Sequence, residues 1–531
     1  MLKRSRALAS VALVALTMGA TPVLAESLQE AIGLAYRTNP SLLAQRANQR
    51  ALDESIVQAR AGLRPTINAS AGVDYSRTRT DRVTTTIPGQ TIPIDTNGDG
   101  VPDATGTLPG STATSGGTIE SDGASASVSL SQNIWTAGRV SHGISAAEAN
   151  VMAGRENLRQ VEQQVMTSVV QAYADVVRDL EILRIRQEIL RIRQENLQVL
   201  RRQLDESNAR FEVGEITRTD VAQSEARLAQ SESDLAGAQA QLSVSRAAYA
   251  AVVGQAPSNL QALPVLPGLP SDFDAAMDVG LAENPGVLAA LYAQQAAEAN
   301  VAAARSEYLP SARLTASYGG TANDLSGFDL SDRTSFTAGA SVSVPLFTGG
   351  LNRSRVAQAL ERANAAQINV EGQRRTVLQS VSSAYAQSAS AKSSVAAGQE
   401  GVRAASVAAE GVRQEAQVGL RTTLDVLNAE LELRSAEVAL ASARRNEYVA
   451  QAQLLAAMGR LGGPNLDPAI DAYDPADNYN AIRNRGALPW DGLLETLDRV
   501  AAPAVTPAAD AEDAPVDRQL KGEVVRTAPQ G

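Results

Sequence analysis

The chain has no cysteine and one histidine, His142, among 531 residues. Without cysteine there are no disulfides and no lipidated N-terminal cysteine to serve as an anchor. With one histidine as well, little remains for nucleophile–base pairs or soft-metal sites. No pair of carboxylates stands in a plausible cleft, so no enzyme is expected. Aromatic residues make up only 3%. A globular core ordinarily uses bulky rings, whereas small side chains suit long helices packed closely together. A cationic surplus is missing too: the formal net charge is −11, a poor match for nucleic acid, which needs cations facing phosphates.

Long apolar runs are equally scarce. The run Ala7 to Ala20 follows basic Lys3, Arg4 and Arg6, and Val23-Leu24-Ala25 precedes Glu26. It is too short to span a bilayer and reads as a secretory signal peptide over 1–25, cleaved before Glu26. No later window reaches ~18 apolar residues, so a membrane can be entered only as strands. The stretch 500–531, rich in Ala, Pro and Asp, reads as a disordered tail.

What is present is an internal two-fold duplication. Asn39-Pro40 and Leu63-Arg64-Pro65 return as Asn284-Pro285 and Tyr308-Leu309-Pro310. Ile134-Trp135-Thr136-Ala137-Gly138 returns as Leu346-Phe347-Thr348-Gly349-Gly350, and Ala172-Tyr173 as Ala384-Tyr385. Val213-Gly214 with Asp220-Val221 returns as Val418-Gly419 with Asp425-Val426, and Gly254 as Gly459. The spacing shrinks once for a longer loop in the first copy, near 76–123, and again for a heptad that occurs twice in tandem, Glu181–Gln187 and Glu188–Gln194. An extra heptad adds about two turns and keeps the same face inward.

Each copy carries two segments of period-two alternation. Ile67, Ala69, Ala71, Val73 and Tyr75 form the first apolar set, and Ala126, Val128 and Leu130 the second. Ala312, Leu314, Ala316 and Tyr318 form the third, and Phe336, Ala338, Ala340, Val342 and Val344 the fourth. A soluble antiparallel sheet with one wet face alternates in the same way. The polar face of Ser, Thr and Asn favours a water-filled lumen. Four strands cannot close a barrel alone, and an open edge is forbidden in lipid, so several copies are required; three would give twelve strands.

Between the strands and the tips lie proline-free helices with apolar seams at steps of three, four and seven. Roughly 70 residues extend about 105 Å, which needs neighbours along the whole length. A double seam suits a helix flanked on both sides, as in a cylinder. A periplasmic coiled-coil adaptor or structural protein without a pore is the rival reading. Gly214 and Gly419 are expected helix stops, Thr217 or Thr219 and Thr422 or Thr423 caps of the returning helices, and Asp220 and Asp425 acids near their positive ends.

The marks above, with the tip Phe211-Glu212-Val213-Gly214-Glu215-Ile216-Thr217-Arg218-Thr219-Asp220-Val221 and the closer match from Val418 to Ala429, resemble the TolC-like outer-membrane factors over most of the chain. The resemblance implies a mainly α chain with a transmembrane β-barrel portion. It implies a homotrimer with a twelve-strand barrel and a twelve-helix periplasmic α-barrel tunnel, docked to a periplasmic adaptor and an inner-membrane transporter of the ABC or proton-driven type. It implies an integral outer-membrane exit duct for proteins (type I secretion) or small molecules. Thr219, Asp220, Arg421, Asp425 and Asn428 fall on positions of the tunnel gate, and Val213, Gly214, Val418, Gly419 and Leu420 on the adaptor-docking tips. The best-known exporter of this type has a tyrosine where this chain has Ala416, and a second lumen acid where it has Asn428. Asp471 to Pro475, Tyr479 and Arg483 resemble the belt of members that export proteins.

The organisation expected is a first repeat over 26–254, with strands near 66–75 and 125–134, a long helix over 138–211 and a returning helix over 219–253. A linker over 255–271 leads to a second repeat over 272–459, with strands near 311–318 and 335–346 and helices over 350–416 and 423–458. An equatorial segment over 460–499 follows. No cofactor is expected, apart from a candidate calcium ion. Asp95, Asn97, Asp99 and Asp103 lie at alternate positions of the first loop with Gly100 at the sixth, the first half of a calcium loop. Gly106 stands where a bidentate glutamate belongs, and a polar glycine-rich turn explains the same residues.

Overall fold

A computed structural model describes residues 26–208, 218–322, 330–331 and 333–505. The element order helix, helix, strands, long helix, returning helix occurs twice. The first pass is α1 (Leu28–Thr38), α2 (Pro40–Arg60), β1 (Thr66–Ile87), β2 (Gln90–Ile94), β3 (Ala104–Leu108), β4 (Ser111–Trp135), α3 (Arg139–Asn208) and α4 (Arg218–Val253). The second is α5 (Phe273–Glu283), α6 (Pro285–Ser306), β5 (Ser311–Ala322), β6 (Arg333–Ser343), α7 (Leu351–Gln417) and α8 (Thr423–Ala457), followed by short α9 (Gly463–Leu466), α10 (Pro475–Ile482) and α11 (Asp491–Asp498). No described helix is long and apolar enough to cross a membrane.

The repeated Asn-Pro marks have a mechanical role. Asn39 and Asn284 each cap the helix that starts at the following proline, accepting from the amide two residues on. Each also donates its side-chain amide 2.9 Å to a carbonyl at the end of a returning helix, Val252 for Asn39 and Ala457 for Asn284. Proline at the first helical position needs no amide partner, so the cap and the cross-link share one residue. Gly254 and Gly459, both left-handed, end those returning helices beside the asparagines.

The four main strands form one antiparallel sheet in the order β1-β4-β5-β6, leaving β1 and β6 as edges within the chain. The expected loop at 76–123 is a correction: β1 runs on to Ile87 and β4 starts at Ser111, with β2 and β3 paired above them. The extension is rich in threonine, and both its faces are exposed. β-Branched residues favour strand here, while an apolar–polar alternation is absent because neither face is buried. A bulge between Thr80 and Val83 kinks this ribbon where Gly116 and Gly117 adopt positive φ. The tail is a second correction: residues 500–505 are ordered against the start of α3, and Trp135 Nε1 donates to the Val500 carbonyl at 3.0 Å. Residues 506–531 and the leader 1–25 lie outside the described residues.

Two apolar clusters hold the helical body. The larger gathers α1, α3, α4 and α8 around Tyr173 and Tyr249; the smaller gathers α5, α7 and α8. The repeated tyrosines anchor one cluster each, Tyr385 packing edge-on against Phe273 with centroids 5.5 Å apart. Tyr173 is fully buried and donates to the carbonyls of Glu26 and Gln261. Burial pushes its hydroxyl up to about 12, against roughly 10 for a free tyrosine. A raised acid contributes stability in full below the unfolded value and loses it as pH climbs through the folded one. Denaturation midpoints of the wild type are therefore expected to fall between about pH 10 and pH 12, and those of Tyr173→Phe to fall less over that interval.

Candidate functional site

Two surfaces are the candidates for function: the alternating apolar face of the sheet and the far ends of the long helices. Ile67, Val73, Tyr75, Val128, Tyr318, Phe336 and Val342 are all exposed. They stand on the alternating positions that the sequence marks as apolar. A contiguous apolar face of this size on a monomer signals a lipid or protein partner. Eight steps from Ile67 to Tyr75 cover about 26 Å, close to the apolar band of an outer-membrane barrel. The next residue on that face, Arg77, is paired with Glu120 at 3.3 Å, so charge begins where the aromatic rim ends.

At the opposite end α7 stops in a paired motif: the Gly419 amide donates to Ala416 and the Leu420 amide to Glu415. Gly419 has φ +80, which glycine adopts without penalty. Val418 and Leu420 are 72% and 75% exposed, apolar knobs on the tip. Thr422 caps α8 and Asp425 completes a capping box, its carboxylate accepting from the Thr422 amide at 3.0 Å and hydroxyl at 2.9 Å. Those two bonds hold the Asp425 carboxyl below the usual carboxylate range. Arg421 pairs with Glu415 at 2.8 Å, and Asn428 accepts from Arg227 at 2.6 Å. Thr219 and Asp220 stand in the first turn of α4; Val213 and Gly214 lie outside the described residues.

Arg421, Asp425 and Asn428 therefore share one end of the molecule; Arg421 bonds Glu415 and also feels the Asp425 charge, while Asn428 bonds Arg227. Arg227 and Glu415 are the partners that residue patterns missed. One signal was available: Arg227 lies one heptad beyond Asp220, on the same helix face.

The 95–103 loop sits at the tip of the long ribbon, at the end of the molecule opposite the helix tips. Asp95 accepts from the amides of Asn97, Gly98 and Gly100. Asp99 accepts from the Val101 amide and Asn97 side chain, and Asp103 from the Thr96 amide and hydroxyl. These bonds hold Asp95 and Asp103 below the usual range, the Gly100 amide acting most on Asp95 and the Thr96 hydroxyl on Asp103. Among the described residues no group of three His, Cys, Asp or Glu is arranged to hold a metal ion.

Comparison with known proteins places this geometry. The family model described as outer membrane efflux protein matches residues 31–255 and 277–460. Outer membrane efflux protein BepC of Brucella suis is 33% identical over 470 residues, 88% of this chain and 92% of BepC. Outer membrane protein TolC of Vibrio cholerae is 29% identical, covering 83% of this chain and 92% of that protein. Among solved structures, the open state of the Neisseria gonorrhoeae MtrE outer membrane channel superposes with a TM-score of 0.61 at 25% identity, over 82% of this chain and 89% of that one.

Proposed function

Because this chain belongs to the outer membrane efflux protein family, we propose that three copies form a continuous duct: twelve strands closed into a barrel in the outer membrane and twelve helices extending it through the periplasm. The observation that carries this reading is the exposed apolar face on a sheet with both edges open. In lipid those edges must be paired, and among the described residues the other two strands, β2 and β3, pair only with each other. Three identical sheets joined edge to edge satisfy both demands with closed symmetry.

In this reading the protein conducts passively, and a periplasmic adaptor and an inner-membrane transporter of the ABC or proton-driven type supply the cargo. The apolar tips Val418, Gly419 and Leu420, with Val213 and Gly214 of the other hairpin, are the adaptor contacts. Thr219, Asp220, Arg421, Asp425 and Asn428 surround the entrance, where three Asp425 carboxylates attract cations. The belt resemblance at Asp471 to Arg483 supports proteins exported by type I secretion as a main cargo, with small molecules as the second. Quantitative proteomics of culture supernatant from a strain lacking the channel tests this. Loss of a few large secreted proteins, restored by complementation, supports protein export; an unchanged supernatant with raised drug sensitivity assigns the duct to small molecules. On its sequence pattern the 95–103 loop is proposed as a calcium loop. Calorimetric heat with calcium, lost in Asp95→Ala, supports it, and no heat removes it.

A further inference from the structure

We propose that Arg227 straps the two helical hairpins of one chain together at the mouth of the passage, keeping it narrow and setting a positive charge against its carboxylates. The proposal rests on the channel reading above. The hairpins α3–α4 and α7–α8 are joined along the seam where α3 packs on α8. Near the far end a bond outside that seam links them: Arg227 Nη1 on α4 donates to Asn428 Oδ1 on α8 at 2.6 Å.

Arg227 is held from behind. Arg193 of α3 donates to the Arg227 carbonyl at 2.5 Å and to the buried Ser231 hydroxyl, which itself donates to that carbonyl at 3.0 Å. On the other side, Arg413 of α7 pairs with the buried carboxylate of Glu430 on α8. One chain of bonds and packed helices thus runs from α3 through α4 and α8 to α7. Breaking Arg227 from Asn428 removes a side-chain link between α4 and α8 that spans the hairpins at this level.

The choice of asparagine also sets charge. An amide fixes a guanidinium by one hydrogen bond without neutralising it, as a carboxylate would. Behind Arg227, the Arg193 guanidinium is pulled down by burial first and then by the charges of Arg227 and Arg186, with Asp234, paired to Arg186, acting the other way. Asn428 lies about one helical turn from Asp425. A threefold mouth then carries three guanidinium groups a turn away from three carboxylates, and neither sign dominates it.

Single-channel recording of the full-length protein in a salt gradient separates strap from charge. Arg227→Ala and Asn428→Ala are each expected to raise conductance about twofold or more, and the double variant no further than the larger single, since all three break one bond. Arg227→Ala also moves the reversal potential toward cations, which Asn428→Ala does not. Asn428→Asp keeps the acceptor; its conductance stays at or below the wild-type level while its selectivity moves toward cations. Wild-type conductance in both alanine variants, or additive effects in the double, overturns the strap alone. A wild type that forms no channel overturns the duct reading and the strap with it.

Discussion

Asp498→Ala is expected to destabilise the protein by on the order of 3 kcal/mol per chain, the largest effect of any single side chain outside the apolar clusters. Asp498 is completely buried at the junction of sheet and tunnel. Its Oδ1 accepts from the Thr136 amide and hydroxyl, and its Oδ2 from the Ser141 amide at 3.1 Å and hydroxyl at 2.8 Å. Thr136 and Ser141 flank the turn between β4 and α3, where Ala137 and Gly138 both take positive φ. The carboxylate therefore holds the corner at which a strand becomes a 70-residue helix. Alanine leaves buried donors with no acceptor, and each such donor costs about 1–3 kcal/mol. The midpoint of chemical or thermal denaturation in detergent measures it. A variant that unfolds with the wild type would show that the C-terminal segment merely lies against the corner.

Glu26→Ala is expected to cost about 2–3 kcal/mol for the same reason at the other end of the chain. The Glu26 carboxylate is buried and accepts from the Tyr249 hydroxyl at 2.6 Å, the Gln255 side chain at 2.8 Å and the Ser258 amide at 3.1 Å. Tyr249 is fully buried, so its hydroxyl has no water to turn to. The pair acts as a unit: Tyr249→Phe in the Glu26→Ala background should add little, because the orphaned donor is then gone. Fully additive losses would contradict the arrangement. Glu26→Gln, which retains an acceptor oxygen, should recover most of the loss.

Most of the architecture could be read from residues because it is repeated. Asn-Pro, the helix-stopping glycines and the alternating strands each occur twice, and the second long helix ends at Gln417, just before Gly419. What escaped reading has physical reasons. The ribbon above the membrane has two wet faces, so strand there leaves no alternation, only a threonine content. The role of Asp498 depends on a contact across 362 positions with Thr136, which no local pattern announces, and the Ala- and Pro-rich composition after it pointed to disorder. Thr422 was legible as a cap; that Asp425 closes the capping box with it was not separable from simple dipole complementation. Arg227 was hidden because its partner is an amide, and charge patterns do not flag neutral partners.

On the proposed function, three copies of this chain build a conducting duct with no help from another protein. Single-channel recording of the purified full-length protein in planar lipid bilayers tests it most directly. Discrete, long-lived conductance steps of uniform size are expected, appearing only with particles of three chains. Protein that is monomeric, leaves the bilayer electrically silent and needs no detergent to stay in solution would contradict it.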